Sequence, residues 1–426
     1  MSDRRTSALQ HIREIGSPAE LLAAAASNAA PAKVVANSHI HLPPNFSAFR
    51  DARHAVELAV AEGVNCLGTS NYYDFAVYAD FAQAAREKNI FPLFGVEIIA
   101  FLDDLARKGV KINDPGNPGK MYLCGKGISR FDELSPATAR MLRVIRKRDA
   151  ARMSRMIALL GEAFRRSGVG VGLDERAVIS AVAKRYGVAP EAVTLQERHL
   201  ALVFQEALWQ RVGASMRDRA LASIFRTRSK ADGDPARTQN EIRSHLMKAG
   251  KPAYVEEEFV TFDEAYSLVL SLDGVPCYPT LADGASPICA FEESVESLIA
   301  ELDKRNIHCA EFIPNRNDPA VLRKYVPAMR AAGLVVTAGT EHNTLDLVPM
   351  KPRTASGEVP EDIATIFAQG ACVIAAHQFL KAHGEDGFVL ADGSLNKKFG
   401  NREELIRAMS SLGNAVIKRY LERREK

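Results

Sequence analysis

The chain has 426 residues, of which 47% are hydrophobic and 25% charged, and this is the composition of a soluble globular protein. The length suits one large barrel-type domain with an insertion, or two or three ordinary domains. The net charge of +3 excludes no class of partner, but the charge is unevenly distributed. Residues 136–255 contain 23 Lys and Arg against 11 Asp and Glu, so the rest of the chain is net acidic. A solvated helical face is the commoner reason for such a region, and a surface that faces an anionic ligand is the alternative.

Three features predict a cytoplasmic protein that binds neither nucleic acid nor membrane. The six cysteines form no C-x-x-C pair and lie mostly in apolar runs, as buried reduced thiols do. No run approaches the eighteen or so apolar residues that a membrane span needs. The basic region lacks interleaved aromatic residues, and Trp209 is the only tryptophan. The oligomeric state stays open at this point.

The first hundred residues alternate between helical and strand-like patterns. Residues 1–32 are predicted to form a helical lead-in, because Ser17-Pro18-Ala19-Glu20 has the form of a capped helix start. From residue 33 to 100, strands are predicted at 34–40, 64–69 and 90–99, with helices at 51–62 and 77–88.

The segment 101–258 interrupts this rhythm. Its first part, 113–119, is rich in Asn, Pro and Gly and predicts a turn. The rest is a long helical stretch with few β-branched runs and a polar connection at 229–238. We therefore predict an all-α insertion, a cap, between two barrel strands.

The alternation resumes at residue 259 and continues to about 380, followed by a predicted helical tail at 381–426. Strands are predicted at 275–281, 307–313, 334–339 and 371–376, and helices at 262–272, 292–305, 319–332 and 363–369. Continuous apolar strands that alternate with helices predict parallel strands covered by helices. Seven such strands favour an α/β barrel of the TIM type, closed or nearly closed, over a six-stranded doubly wound sheet, which stays possible.

Two histidines stand at the end of the first predicted strand. His39 and His41 are two residues apart, and side chains of an extended chain repeat with a period of two, so both imidazoles point the same way and can hold one metal ion. A structural role for the pair is the alternative.

Further polar residues occur at later strand ends, where functional residues of a parallel barrel collect. Glu97 lies in an apolar run, and a buried carboxylate is costly unless it is paired or binds a metal. Glu311 also interrupts a strand, and a salt bridge to an Arg or Lys would explain it equally well. The other positions of this kind are Asn71, Tyr278, Arg316, Glu341, His342, Asn343 and His377.

For some polar residues the sequence gives less reason to predict a functional role. Lys126 and Arg130 lie in a glycine-containing segment and could reach an anion, although a plain loop explains them as well. Surface or core roles are favoured for His54, His199 and His245, and His308 begins a strand at the stability end of a barrel.

The order of these motifs resembles the PHP (polymerase and histidinol phosphatase) family. The matching pieces are His39-Ile40-His41, Gly95-Val96-Glu97, Tyr278-Pro279 and Gly339-Thr340-Glu341-His342-Asn343. The resemblance covers roughly the first hundred residues and positions 260–380. It implies a distorted (βα)7 barrel, up to three divalent ions of Zn, Mn or Fe, and hydrolysis of phosphate esters.

The sequence departs from the family pattern at several ligand positions. Asn37 stands where the family has Asp, Ser70-Asn71 where it has Asp-His, and Tyr278 where it has His. In the last motif the acidic residue is the longer Glu341, and Asn343 stands where the family usually has His. The metal ligands that remain are His39, His41, Glu97, Glu341 and His342. This set predicts one or two ions rather than three.

These observations predict a metal-dependent hydrolase of a small anionic substrate, either a phosphate ester or a sugar-derived compound. Glu97, Tyr278 and Arg316 are the predicted catalytic residues, with Tyr278 in proton transfer and Arg316 neutralising an anionic group. Substrate binding is assigned to Asn71, Lys126, Arg130, Asn343 and His377. The alternatives are a non-catalytic descendant that binds a ligand or acts as a scaffold, and a metal-dependent isomerase or lyase of a sugar acid.

Overall fold

A computed structural model describes residues 7–27 and 31–422, and within them the chain divides into two compact units. The barrel unit comprises the described residues up to Leu42, then Phe49–Met141 and the described residues from Phe259 onward. The helical unit comprises Pro43–Ala48 and Leu142–Glu258.

The strands of the described chain are, in order, β1 Ala36–Ile40, β2 Cys66–Thr69, β3 Phe91–Phe101, β4 Lys120–Lys126, β5 Val260–Thr261, β6 Val275–Thr280, β7 Cys309–Phe312, β8 Val335–Ala338, β9 Arg353–Thr354 and β10 Gly357–Glu358. The α-helices are α1 Gln10–Arg13, α2 Pro18–Ala26, α3 Ala52–Ala61, α4 Tyr78–Glu87, α5 Asp103–Arg107, α6 Pro136–Arg166, α7 Glu175–Tyr186, α8 Glu197–Arg211, α9 Arg217–Phe225, α10 Pro235–Ile242, α11 Phe262–Ser271, α12 Val295–Lys304, α13 Pro319–Ala331, α14 Glu361–Ala382 and α15 Arg402–Glu422.

The main sheet of the barrel unit has eight strands. Seven form a nearly closed barrel in the order β1-β2-β3-β4-β6-β7-β8, and the short β5 pairs with β3. All neighbouring strands pair in parallel except at β4, which is antiparallel to both β3 and β6. The two ends of the sheet meet where the amide of His41 donates to the carbonyl of Glu341 (2.8 Å) and the amide of Glu341 donates to the carbonyl of His39 (2.8 Å). The predicted α/β barrel of the TIM type is confirmed, and this closure brings the first and last motifs of the sequence together.

Local sequence signals account for many of the element boundaries. Ser17 and Glu20 form the predicted capping box of α2. The side chain of Asp51 caps α3, and Thr261 with Glu264 forms a second capping box at α11. The predicted helix at 319–332 begins with Asp318 as its N-cap and Pro319 at its first position.

Two predicted elements differ from the structure, both for identifiable reasons. The run 371–376, predicted as a strand, lies inside α14, which is apolar on most of its surface because it is buried between β8 and α15. The approach is so close that a Cβ added at Gly413 of α15 would lie 1.7 Å from the carbonyl of Cys372. Short apolar runs do not distinguish a strand from a buried helix.

The second difference concerns the predicted all-helical segment 101–258, whose first part is wrong. Residues Lys120–Lys126 form β4, a central strand of the barrel. The strand lacks β-branched residues and has a lysine at each end, so Tyr122 is its one residue that favours a strand. Both lysines are buried and paired, Lys120 with Asp114 (3.3 Å) and Lys126 with Glu311 (2.7 Å).

The helical unit has a core of its own. Leu160 and Phe164 of α6 are buried together with Leu200, Phe204 and Leu208 of α8, and further apolar residues of α7, α9 and α10 join the same cluster. The segment Pro43–Ala48, which directly follows the His41 strand end in sequence, belongs to this unit.

Helix α14 is long and apolar enough to cross a membrane by length and composition, but 72% of its most apolar window is buried inside the protein. Burial of this kind is typical of the core helix of a soluble fold.

Candidate metal centre

Three donor atoms converge inside the barrel, two of them from the end of β1 and one from the middle of β3. The Nε2 atoms of His39 and His41 lie 3.3 Å apart, and Glu97 Oε2 lies 3.1 Å from His41 Nε2 and 3.6 Å from His39 Nε2. All three side chains are buried. The structure therefore brings together three of the five predicted metal ligands, with both imidazoles directed to the same point.

The spacing of these donors fits a divalent cation. Donors bound tetrahedrally to zinc at about 2.0–2.1 Å lie about 3.3 Å from one another, which is close to the three observed separations. Among the described residues, no hydrogen bond of regular geometry reaches the buried Glu97 Oε2. A carboxylate oxygen buried in this way needs a cation. Two imidazoles and one carboxylate suit zinc, manganese or iron.

The charge of Glu97 depends on its neighbours. Burial alone would raise the pKa of this carboxyl, but the imidazoles of His39 and His41 lower it further than burial raises it, so the pKa falls below its usual range. Glu97 is therefore ionised, as a metal ligand must be.

A second group of charges lies behind His39. The Nζ atom of Lys126 lies 2.7 Å from Glu311 Oε2, 3.1 Å from the carbonyl of Ser38 and 3.2 Å from Ser70 Oγ. Glu311 Oε2 also accepts from Nδ1 of His39 at 2.6 Å. Burial lowers the pKa of Lys126, but the carboxylate of Glu311 raises it more, so the amine keeps its charge. The alternative explanation of Glu311, a salt bridge to a basic residue, is confirmed.

The Glu311 contact fixes the orientation of the His39 ring. A carboxylate only accepts, so Nδ1 carries the proton of that hydrogen bond. Nε2 of the same ring then faces His41 and Glu97. A carboxylate that orients a histidine in this way is the common outer partner of a metal-bound imidazole.

Cys124 is a residue that sequence reasoning missed. It lies two residues before Lys126 on β4, so both side chains project from the same face of the strand. Together with His39 and Glu311 it forms a second buried group whose donor atoms all lie within 4.8 Å of one another. The period of two would have linked Cys124 to Lys126 had β4 been recognised as a strand.

Glu341 and Arg316 form an ion pair beside the metal group. Arg316 Nη2 donates to Glu341 Oε2 at 2.7 Å and Nη1 donates to Oε1 at 3.1 Å, while Asn343 donates to the same carboxylate. The guanidinium lowers the pKa of Glu341 against the opposing effect of burial. Glu341 and His342 both have left-handed backbones, with φ of 60° and 52°. The predicted ligand Glu341 is thus held by Arg316, whose side chain keeps 37% of its surface exposed.

Two predicted site residues lie near the cluster but are held by structural hydrogen bonds. His342 accepts from Thr340 Oγ1 through Nδ1 (2.8 Å) and donates through Nε2 to the carbonyl of Val348 (2.9 Å). Burial lowers the pKa of His342 to about 4, so the ring is neutral. Asn71 bonds both the amide and the carbonyl of Leu42. Both residues shape the loops around His41, and the structure does not bring His342 to the metal group.

Three other predicted site residues make contacts elsewhere in the barrel unit: Tyr278, Arg130 and His377. Side chains alternate between the two faces of a strand, so Tyr278 and its neighbour Cys277 lie on opposite faces of β6. Cys277 lies near Lys126, whereas the hydroxyl of Tyr278 donates to Glu292 at 2.8 Å. Arg130 is exposed and pairs with Asp273 (2.7 Å).

His377 differs most from its predicted position. It lies within α14 rather than at a strand end, where Nε2 donates to the carbonyl of Asp273 and Nδ1 accepts from the amide of Phe388. These contacts are those of a buried structural histidine.

Tyr72, three residues beyond the end of β2, contacts the metal group directly. Its ring stacks on His41 with centroids 5.0 Å apart and an interplanar angle of 14°. Burial and the carboxylate of Glu97 raise the pKa of its hydroxyl well above the usual value, so the group stays protonated.

Comparison with protein-family models and with curated protein sequences gives no match. Among solved structures, the fold is similar to that of a Bifidobacterium adolescentis protein provisionally described as a metal-dependent phosphoesterase. The TM-score is 0.51 at 17% identity, covering 80% of this chain and 98% of that one. An amidohydrolase from Chromobacterium violaceum, whose structure holds sulfate and no metal, gives a TM-score of 0.49 at 16% identity over 78% of this chain and 97% of its own. Identities this low show the fold alone, and the PHP resemblance stays a prediction.

Proposed function

We propose that this protein is a metal-dependent hydrolase of a small anionic substrate, with phosphate esters as the first class to test. The observation that carries the proposal is the convergence of His39 Nε2, His41 Nε2 and Glu97 Oε2 within 3.6 Å of one another in a buried site. The barrel architecture, shared with a provisionally assigned metal-dependent phosphoesterase, is compatible with this activity.

The protein groups around this site have separate tasks. A bound divalent ion would polarise a substrate oxygen and lower the pKa of a water molecule. Arg316, partly exposed beside Glu341, would neutralise an anionic group of the substrate. Tyr72, protonated and stacked on His41, would donate a hydrogen bond to a substrate oxygen. Glu311 keeps the His39 ring in the orientation that directs Nε2 inward.

A second candidate is a protein that binds an anionic ligand without turning it over. The observation that favours it is the buried Lys126–Glu311 ion pair, which uses an acidic residue near the metal group for structure rather than for a further ion. This candidate predicts metal and ligand binding without turnover.

Metal analysis followed by an activity panel tests the proposal. Purified protein should retain a stoichiometric divalent ion by elemental analysis, and a chelator should lower its melting temperature. His41→Ala should abolish both the ion and turnover of phosphate esters assayed with Mn, Zn or Fe. His54→Ala is the matched control, because His54 lies on α3 and contacts Phe49 and the amide of Arg50 instead.

The outcomes separate the candidates. The hydrolase proposal would be refuted if folded wild-type protein retains no ion and its melting temperature does not change when a chelator is added. An ion without turnover of any ester in the panel, together with binding of inorganic phosphate, would favour the ligand-binding candidate.

A further inference from the structure

Lys126 has the surroundings of a bound cation. The ammonium has three N–H donors, and three oxygens lie within 3.2 Å of Nζ: Glu311 Oε2, the carbonyl of Ser38 and Ser70 Oγ. His39 Nδ1 lies slightly farther away, at 3.4 Å. Lys126 and Glu311 are both fully enclosed, with side-chain exposures of 3% and 0%. The lysine therefore satisfies the charge of Glu311 and uses each of its own donors.

The same space holds the donors of a potential metal site. His39, Cys124 and Glu311 each place one ligand atom within 4.8 Å of the other two, and all three are buried. Without the ammonium, this would be a nitrogen, sulfur and oxygen set that suits zinc or cobalt. With the ammonium present, an additional divalent ion would be repelled by the adjacent positive charge. The carboxylate of Glu311 would already be neutralised by Lys126.

The register of β4 places Lys126 deeper in the barrel than the metal group. Cys124 pairs in register with Glu97, whereas Lys126 pairs with Gly95, two residues nearer the start of β3. Lys126 thus projects from the deep side of the barrel, below the level of the metal group. A substrate that enters at the carboxyl ends of the strands would meet the metal group before it met the lysine.

We propose that Lys126 is a built-in cation that takes the place of a second metal ion, so that the chain binds a single divalent ion at His39, His41 and Glu97. The inference rests on the proposed metal-dependent function and specifies the ion count of its site. A corollary is that removing the ammonium uncovers a second metal site at Cys124 and Glu311. There the Cys124 thiol and Nδ1 of His39 would each release a proton to solvent, so that the thiolate and the second ring nitrogen of His39 become ligands.

Cobalt titration tests this inference with readouts independent of turnover. Wild-type protein should bind one Co²⁺ per chain and show no near-ultraviolet thiolate-to-cobalt band. Lys126→Ala should bind two Co²⁺ per chain and acquire that band, because Cys124 becomes a ligand. The band should disappear in the double variant Lys126→Ala with Cys124→Ser.

Lys120→Ala is the matched control. Lys120 is a second buried lysine of the same strand, but its partner is Asp114 at 3.3 Å. This variant should keep one Co²⁺ per chain and no thiolate band. A second ion in both lysine variants would point to loosening of the barrel and would overturn the inference.

The remaining outcomes distinguish the two proposals. Wild-type protein that binds two Co²⁺, or a folded Lys126→Ala variant that binds one at saturation, overturns the built-in cation and leaves the hydrolase proposal standing. Wild-type protein that binds no ion overturns both. If Lys126→Ala fails to fold with or without Co²⁺, the wild-type count and spectrum decide by themselves.

Discussion

Glu311 Oε2 lies 2.6 Å from Nδ1 of His39, while Nε2 of the same ring lies 3.3 Å from Nε2 of His41. One carboxylate therefore links the ammonium of Lys126 to the candidate metal group through a single imidazole. A change at Glu311 should therefore affect both metal affinity and the stability of the fold. Glu311 neutralises the charge of Lys126 and also orients the ring of His39.

Glu311→Gln should weaken metal binding without removing a ligand. The amide is a poorer acceptor for the Nδ1 proton, and loss of such an outer partner typically costs 10–100-fold in metal affinity. The variant should also be less stable, because Lys126 keeps a buried charge without its counter-ion. Competition with a chromogenic chelator would measure the affinity.

Glu292→Gln is the control for this experiment. Glu292 is equally buried in the barrel unit but bonds Tyr278 and two backbone amides rather than a metal-group histidine. The Glu292→Gln variant should leave the metal affinity unchanged. Equal affinities for folded Glu311→Gln and wild-type protein would show that Glu311 does not orient His39 for metal binding.

Arg316→Gln should reduce the binding of phosphate-like anions. The guanidinium is the partly exposed charge beside the metal group, and a bidentate donor is lost when glutamine replaces it. We expect inhibition by inorganic phosphate to weaken by roughly tenfold, on the scale of one charge-assisted hydrogen bond. The metal content should stay at the wild-type value.

Arg323→Gln, an exposed position on α13, is the matched control for Arg316 and should leave phosphate inhibition unchanged. If Arg316→Gln instead loses the ion while keeping its fold, the arginine acts by holding Glu341 rather than by binding the substrate.

The barrel and three of the five predicted metal ligands could be derived from the sequence because their signals are local. His39 and His41 are two residues apart on one strand, and Glu97 is a carboxylate within an otherwise apolar run. Sequential strands of a parallel barrel place such residues at one end. No information about distant contacts was needed to expect these three side chains to meet.

The errors arose where the answer depends on partners far along the chain. The strand that carries Lys126 has a weak strand signal, because a lysine stands at each of its ends. These lysines can be buried because they pair with Asp114 and Glu311, which lie elsewhere in the chain. Tyr278 stands at the predicted strand end, but the direction of its side chain follows from the register of β6 against β4, which the sequence of β6 does not contain. The apolar run before His377 reflects burial of α14 on several sides rather than strand structure.

His377→Ala should lower stability and leave metal binding intact. The ring donates to the carbonyl of Asp273 at 2.7 Å and accepts from the amide of Phe388 at 2.9 Å. The alanine variant therefore leaves a buried amide and a partly buried carbonyl unpaired. We expect a loss of roughly 2–4 kcal/mol in the free energy of unfolding. Thermal denaturation and elemental analysis would measure the two effects. A variant of normal stability whose KM for a phosphate ester rises would instead restore the predicted substrate-binding role.

Glu197→Gln should destabilise the helical unit in a pH-dependent manner. Glu197 contacts Arg152 at 2.6 Å and Lys248 at 3.0 Å, and its side chain is 16% exposed. Burial raises the pKa of this carboxyl, but Lys248 and Arg152 outweigh burial and lower the pKa to about 2. Because the folded-state pKa is depressed, the carboxylate stabilises the fold above the unfolded-state pKa of about 4.5, and this contribution is lost as the pH falls toward 2.

Urea titration followed by tryptophan fluorescence measures this effect, since Trp209, the only tryptophan, packs against the core of the helical unit. At pH 7 the variant should be less stable than wild-type protein by about 3 kcal/mol, and the difference should shrink steadily below pH 4.5. Glu206→Gln, which removes an exposed pair with Arg185, should change stability by less than about 1 kcal/mol. A difference that stays constant between pH 7 and pH 3 would mean that Glu197 stabilises the unit through packing rather than through its charge.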